Sequence, residues 1–133
     1  MPEGLTIGRL AKAVGVNVET IRYYQRRGLI AEPAKPPGGQ RRYSPRVIEQ
    51  VNFIRRAQQL GFSLDEAKIF LGMVDGTSCR EARIIAEKKY ELIEIQLARL
   101  EKMRSELEVL IGACRANRSR THCPLIDALK QGG

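Results

Sequence analysis

Between Ser78 and about Ala116 the chain contains no proline, and no glycine before Gly112, so nothing in its backbone interrupts a helix there. Ser78 can cap that helix, and Glu81, three residues on, can reach back to complete a capping box. Every seventh residue from Cys79 is apolar or a thiol: Cys79, Ala86, Ile93, Leu100, Leu107 and Cys114. The companion row is Ala82, Lys89, Gln96, Met103 and Leu110; it fails at Lys89 and Gln96, where Tyr90 and Leu97 can cover the seam. A single helix cannot bury its own stripe. The spacing therefore predicts a two-helix coiled coil.

Cys79 and Cys114 are 35 residues apart, five heptads, and so lie on one face at opposite ends of the helix. At 1.5 Å per residue they stand roughly 50 Å apart, too far to share a ligand within one chain. Two copies paired antiparallel about a two-fold axis bring the Cys79 end of one to the Cys114 end of the other. In that register Ala86 meets the partner's Leu107 and Ile93 meets the partner's Leu100, with Met103 and Leu110 completing the interface. Two equivalent thiol sites result, one at each end of the homodimer.

A chain of 133 residues is one domain, or a small domain followed by an extended helix. It has no apolar run of membrane-spanning length, and its first ten residues lack the layout of a secretory signal. Three cysteines in that context predict free thiols in a reducing cytoplasm. The net charge of +8 predicts a polyanionic partner. Residues 1–62 hold eleven Lys and Arg against Glu3, Glu19, Glu32 and Glu49, so the basic surface belongs to the N-terminal half.

That half has a legible order. Thr6 caps a short helix with Ile7, Leu10 and Ala11 at helical spacing, and Gly15 supplies a left-handed turn. Asn17 caps a second helix, Val18 to about Arg26, which Gly28 closes. Helix, glycine turn, helix is the helix-turn-helix outline, whose second helix enters a DNA major groove. That helix carries Asn17, Thr20, Arg22, Tyr23 and Tyr24, a mixture of groove-reading and phosphate-binding side chains, with Arg26 and Arg27 at its end. Next, prolines and Gly38-Gly39 between short apolar or aromatic ends predict a β-hairpin, with Arg41, Arg42 and Tyr43 on its returning strand. A basic hairpin beside a recognition helix is a wing.

Ser44-Pro45 starts a third helix that buries Val47, Ile48, Val51, Ile54 and Ala57 and stops at Gly61. Arg55 and Arg56 point away from that face, toward solvent or DNA. Ser63 and Glu66 form a capping box for a fourth helix reaching about Val74, and Asp75-Gly76-Thr77 is read as a hinge. Past the long helix, Pro124 begins a last short helix capped by Cys123.

Cys114 and Cys123 are separated by only nine residues across a polar loop, so with Cys79 of a partner they assemble three thiols. Thiolates near helix N-termini are favoured by the dipole, and soft thiolates select soft metals. His122, adjacent to Cys123, is read as a surface residue.

These residues resemble a known family. Leu5-Thr6-Ile7-Gly8 through Gly15-Val16, Thr20-Ile21-Arg22-Tyr23-Tyr24, Gly28-Leu29-Ile30, Arg41-Arg42-Tyr43 and Leu60-Gly61-Phe62-Ser63-Leu64-Asp65-Glu66 are similar to the DNA-binding domain of MerR-type regulators. Asp75-Gly76-Thr77-x-Cys79, the cysteine at the end of the long helix, and Cys123-Pro124-Leu125-Ile126 resemble the mercury-responsive members. The resemblance implies a mostly α fold: a winged helix-turn-helix domain over residues 1–76, a dimerisation helix over 77–113 and a metal-binding loop with a short helix over 114–133. It implies a homodimer on double-stranded promoter DNA that represses without metal. Hg(II), one per site of Cys79, Cys114 and Cys123, would make the dimer distort the DNA so that RNA polymerase can use the promoter. Lead, cadmium or a thiol redox signal are the alternative inputs. One histidine, no Cys-x-x-Cys, no phosphate loop and no acid/base pair argue against an enzyme.

Overall fold

The protein is described from a computed structural model covering residues 4–74, 76 and 78–132. The fold is mostly α: α1 (Ile7–Val14), α2 (Val18–Arg26), α3 (Arg46–Gln59), α4 (Leu64–Leu71), α5 (Cys79–Ala116) and α6 (Pro124–Lys130). It divides into two compact units, Met1–Lys89 and Tyr90–Gly133. The boundary falls inside α5. Among the described residues no helix is long and apolar enough to cross a membrane.

The first unit is built by its caps and its core. Thr6 accepts from the Arg9 amide and Asn17 from the Thr20 amide, which fixes the starts of α1 and α2. Between them Gly15 takes φ 73°, and its amide returns to the carbonyls of the last turn of α1. The Arg55 guanidinium donates to the Val14 carbonyl, so α3 clamps the same turn. Ser63 and Glu66 make both hydrogen bonds of the expected capping box at α4, which ends at Leu71 with Gly72 as its C-cap, short of Val74. Leu10, Ile21, Val51 and Ile54 are fully buried where α1, α2 and α3 meet. Val47 and Ile48 are half-buried against this core.

The expected hairpin is not a ladder. Among the described residues the only β pairing is a bridge between Leu5 and Tyr43, which exchange both backbone hydrogen bonds at 2.8 and 2.7 Å. Pro33, Pro36 and Pro37 remove three donors from the outgoing arm, so its two sides cannot zip together. Side chains lace them instead: Arg41 donates from Nε to the Pro33 carbonyl at 2.9 Å and pairs with Glu32 at 3.4 Å. The bridge packs Gly4 against Arg42 so closely that a Cβ at Gly4 would lie 2.3 Å from that of Arg42.

The second unit contains the rest of α5, a loop and α6. None of its described residues is buried. Of the expected hinge, Asp75 and Thr77 lie outside the described residues.

Candidate nucleic-acid interface and thiol site

A cleft of about 850 Å³ opens in the first unit between the start of α1, the recognition helix α2 and the loop of residues 32–43. Arg22, Arg26, Lys35 and Arg41 line it against a single acid, Glu32, so it is strongly cationic. Arg22 is pre-set by Glu19, one turn back at 2.8 Å, yet its side chain is still half exposed. Tyr23 is exposed on the same helix. Its ring lies 5.7 Å from the guanidinium carbons of both Arg26 and Arg27, and its hydroxyl accepts from Arg27 at 2.8 Å.

The eight residues expected to meet DNA therefore separate. Arg22, Tyr23, Arg41 and Arg42 are exposed. Asn17 and Thr20 are engaged with each other: the Asn17 carboxamide accepts from both the amide and the hydroxyl of Thr20. Tyr24 and Tyr43, expected on the DNA face, belong to the core, with 4% and 2% of their surface exposed. Burial raises both phenol pKa values above 10.0, and each hydroxyl finds a glutamine, Gln58 for Tyr24 and Gln25 for Tyr43. The adjacent tyrosines point to opposite sides of α2, and Tyr43 is drawn inward by its bridge to Leu5. Of the other two arginines, Arg55 is spent on the Val14 carbonyl and Arg56 donates to Gln59.

Sequence reasoning missed Asp65. It accepts from Arg27 at 2.9 Å across 38 positions of chain, a contact with no local signal, because Asp65 reads simply as an acid in the first turn of α4.

In the second unit Cys114 Sγ and Cys123 Sγ are 3.9 Å apart and unbonded. The loop between them is what closes this distance. The Asn117 carboxamide donates to the His122 carbonyl at 2.7 Å, and the Ser119 hydroxyl accepts from the amides of Thr121 and His122. Pro124 then starts α6 with Cys123 as its N-cap. The amides of Ile126 and Leu125 pull the Cys123 thiol below its usual 9.0, and Cys114 adds to this. Two sulfurs bound to one thiophilic ion at zinc-like distances stand about 3.8–4.0 Å apart, so the pair fits a metal without rearrangement. Cys79 is the first residue of α5 and is exposed. Among the described residues of one chain, no three metal-ligating side chains come together. His122 is exposed and turned toward Asp127 at 3.9 Å, as expected of a surface residue.

The expected interface residues are largely bare. Ile93, Leu100, Met103 and Leu107 expose 37–60% of their surface, whereas Ala86 and Leu110 are half-buried within the chain.

The profile of the MerR HTH family regulatory protein matches residues 5–73, and a MerR DNA-binding profile matches residues 48–110. The chain is 51% identical over 131 residues to the mercuric resistance operon regulatory protein of Pseudomonas fluorescens, spanning 98% of this chain and 90% of that one. It is 40% identical over 125 residues to the protein of the same description from Bacillus cereus, covering 92% and 95%. Among solved structures, a transcription regulator from Ralstonia metallidurans CH34 in complex with lead(II) superposes with a TM-score of 0.79 at 28% identity, covering 94% of this chain and 98% of that one.

Proposed function

The chain belongs to the MerR family of helix-turn-helix regulatory proteins, and from that premise we propose that it regulates a mercury resistance operon in response to Hg(II). As a family member it is a DNA-binding transcription regulator and not an enzyme. It acts in the cytoplasm, on double-stranded promoter DNA and with RNA polymerase, as a homodimer paired through α5.

The observation that carries the metal reading is the Cys114–Cys123 pair, held 3.9 Å apart by its loop and left one ligand short. A structural site closes with several donors, and Cys79 is the remaining thiol in the chain. Antiparallel pairing of α5 supplies it from the partner. The thiols hold Hg(II), which contributes the thiolate bonds that join the two chains. The amides at the α6 N-terminus hold the Cys123 thiol below its usual pKa, which favours its thiolate. The high identity to mercuric regulators favours mercury over the lead bound by the more distant structural relative.

A bridge between the end of one α5 and the start of the other selects one placement of the DNA-binding units. For that to switch transcription, the metal must bind more tightly to the activating arrangement than to the repressing one. Bending a site of this size costs on the order of 1–6 kcal/mol, within reach of such a bias.

A heterodimer tests the shared site. Cys79→Ala and Cys114→Ala homodimers should each bind operator yet fail to respond to Hg(II). Combined in one differently tagged heterodimer, they leave one end with Cys79 from the Cys114→Ala chain and both Cys114 and Cys123 from the Cys79→Ala chain. One tightly held Hg(II) in the presence of a thiol competitor is the expected result. None at all would sink the cross-subunit site.

A further inference from the structure

Asp65 is out of place on a face meant for DNA. It is a carboxylate with 83% of its side chain exposed, next to the most cationic end of the recognition helix. Simple electrostatics makes it a liability there, since it repels the phosphates that the arginines attract.

Its contacts give it a use. Asp65 accepts from Arg27 Nη2 at 2.9 Å, and the same guanidinium donates through Nη1 to the Tyr23 hydroxyl at 2.8 Å. Gly28, at φ 76°, ends α2 between them, and a Cβ there would lie 2.9 Å from the Lys68 ammonium. The tip of the Lys68 side chain from α4 therefore lies beside the end of α2. We propose that Asp65 is a positioning residue for DNA recognition, holding Arg27 so that Arg27 in turn fixes and polarises the Tyr23 hydroxyl toward a backbone phosphate. This rests on the DNA-binding reading of α2.

The chemistry runs in one direction. Because the Tyr23 oxygen already accepts from a cation, its own hydrogen is left to donate outward, and the neighbouring charge makes it a stronger donor. Arg26 and Arg27, both 5.7 Å from the ring centroid, restrict the ring itself. Without Asp65 the Arg27 side chain has no second anchor, and it can turn to the phosphates on its own or swing into solvent. Either way the tyrosine loses its orientation.

The proposal reverses a sign, which makes it testable. Asp65→Asn removes one negative charge, so pure electrostatics predicts tighter DNA binding with a steeper salt dependence. Positioning predicts weaker binding, by about fivefold, because the asparagine oxygen can still accept from Arg27 but the charge-assisted part of that bond is lost. The measurement is fluorescence anisotropy on a duplex selected from random sequence by the wild-type protein. It compares wild type, Asp65→Asn, Tyr23→Phe and the double variant across a salt series, with thermal melting to show that all four are folded. The expected result is that Asp65→Asn weakens binding in the wild-type background and not in Tyr23→Phe. Binding by Asp65→Asn as tight as wild type or tighter overturns the proposal, and so does an equal loss in both backgrounds. Failure of the wild type to select any duplex would remove the DNA reading itself and the positioning role with it.

Discussion

The two units solve the problem of apolar surface in opposite ways. Among the described residues, Met1–Lys89 buries thirteen hydrophobic residues from α1 to α4 and the segments between them, using caps and one arginine clamp to fix how the helices meet. Tyr90–Gly133 buries none of its described residues, although Leu92, Ile93, Leu97, Leu100, Met103 and Leu107 follow one another along α5. A helix left in that state is far from its stability optimum, because most helical stability comes from packing an apolar face. The difference divides the labour: the first unit has its own core and presents charge outward, while the second leaves bare the apolar row that the proposed homodimer would cover.

The widest separation of the two is expected from Leu100→Glu. In the antiparallel register each dimer would bury two unpaired carboxylates, weakening dimerisation by about 6 kcal/mol, or four orders of magnitude. Sedimentation should show monomers, while the helices of the first unit keep their own melting transition. A dimer of unaltered strength would mean that the seam lies on another face. Ile54→Ala probes the opposite unit. Truncating a side chain with no exposed surface should cost about 3–4 kcal/mol in urea unfolding and leave the dimer constant near its wild-type value. If both variants weakened both quantities equally, the two units would be one cooperative structure.

The same contrast explains what could be read from the sequence. Local signals were faithful where Thr6, Asn17 and Ser63 cap as their residue types predict, and the proline-free run, with Gly112 inside its last turns, gives a 38-residue helix. The thiol pair was legible because nine residues and a proline-started helix fix it locally. What failed was long-range. A tyrosine suits either a core or a phosphate, and the bridge from Leu5 that draws Tyr43 inward crosses thirty-eight positions of chain. The hairpin pattern around Gly38-Gly39 was genuine turn chemistry, but three prolines denied it the ladder. Arg55 read as facing solvent or DNA, whereas it donates to a carbonyl forty-one residues away.

A smaller effect locates the charged surface. Arg41 is the wing residue whose head is drawn back to Glu32 and Pro33, so it is pre-ordered beside the cleft. Arg41→Ala should reduce the magnitude of the salt slope of DNA binding by about one and weaken all sequences alike. Its effect on dimerisation should be nil. An unchanged slope would place the phosphate contacts elsewhere on the unit.

The smallest effect concerns where one unit gives way to the other. The apolar row along α5 fails at Lys89, and within its own unit that lysine pairs with Glu66 of α4 at 3.2 Å. Ala82, Ile85, Ala86 and Lys89 are half-buried, whereas every residue from Tyr90 to Val109 is exposed, so the break in the row coincides with the change of environment. Glu66 can report on this junction. The Ser63 backbone amide first, and Lys89 after it, hold its carboxyl below 4.5. A lowered folded pKa stabilises the protein above the unfolded value and ceases to do so as pH falls through the folded one. Wild type should therefore exceed Glu66→Gln in unfolding free energy at pH 7, with the gap closing below about pH 4.5. Glutamine still closes the capping box, so the remaining difference is the charge alone. Screening at this partly exposed site keeps it under about 1 kcal/mol. Lys89→Met should shrink the gap only partly, because the Ser63 amide remains. A gap that vanished altogether would make the lysine the principal cause and tie α5 to α4 more firmly than the cap does.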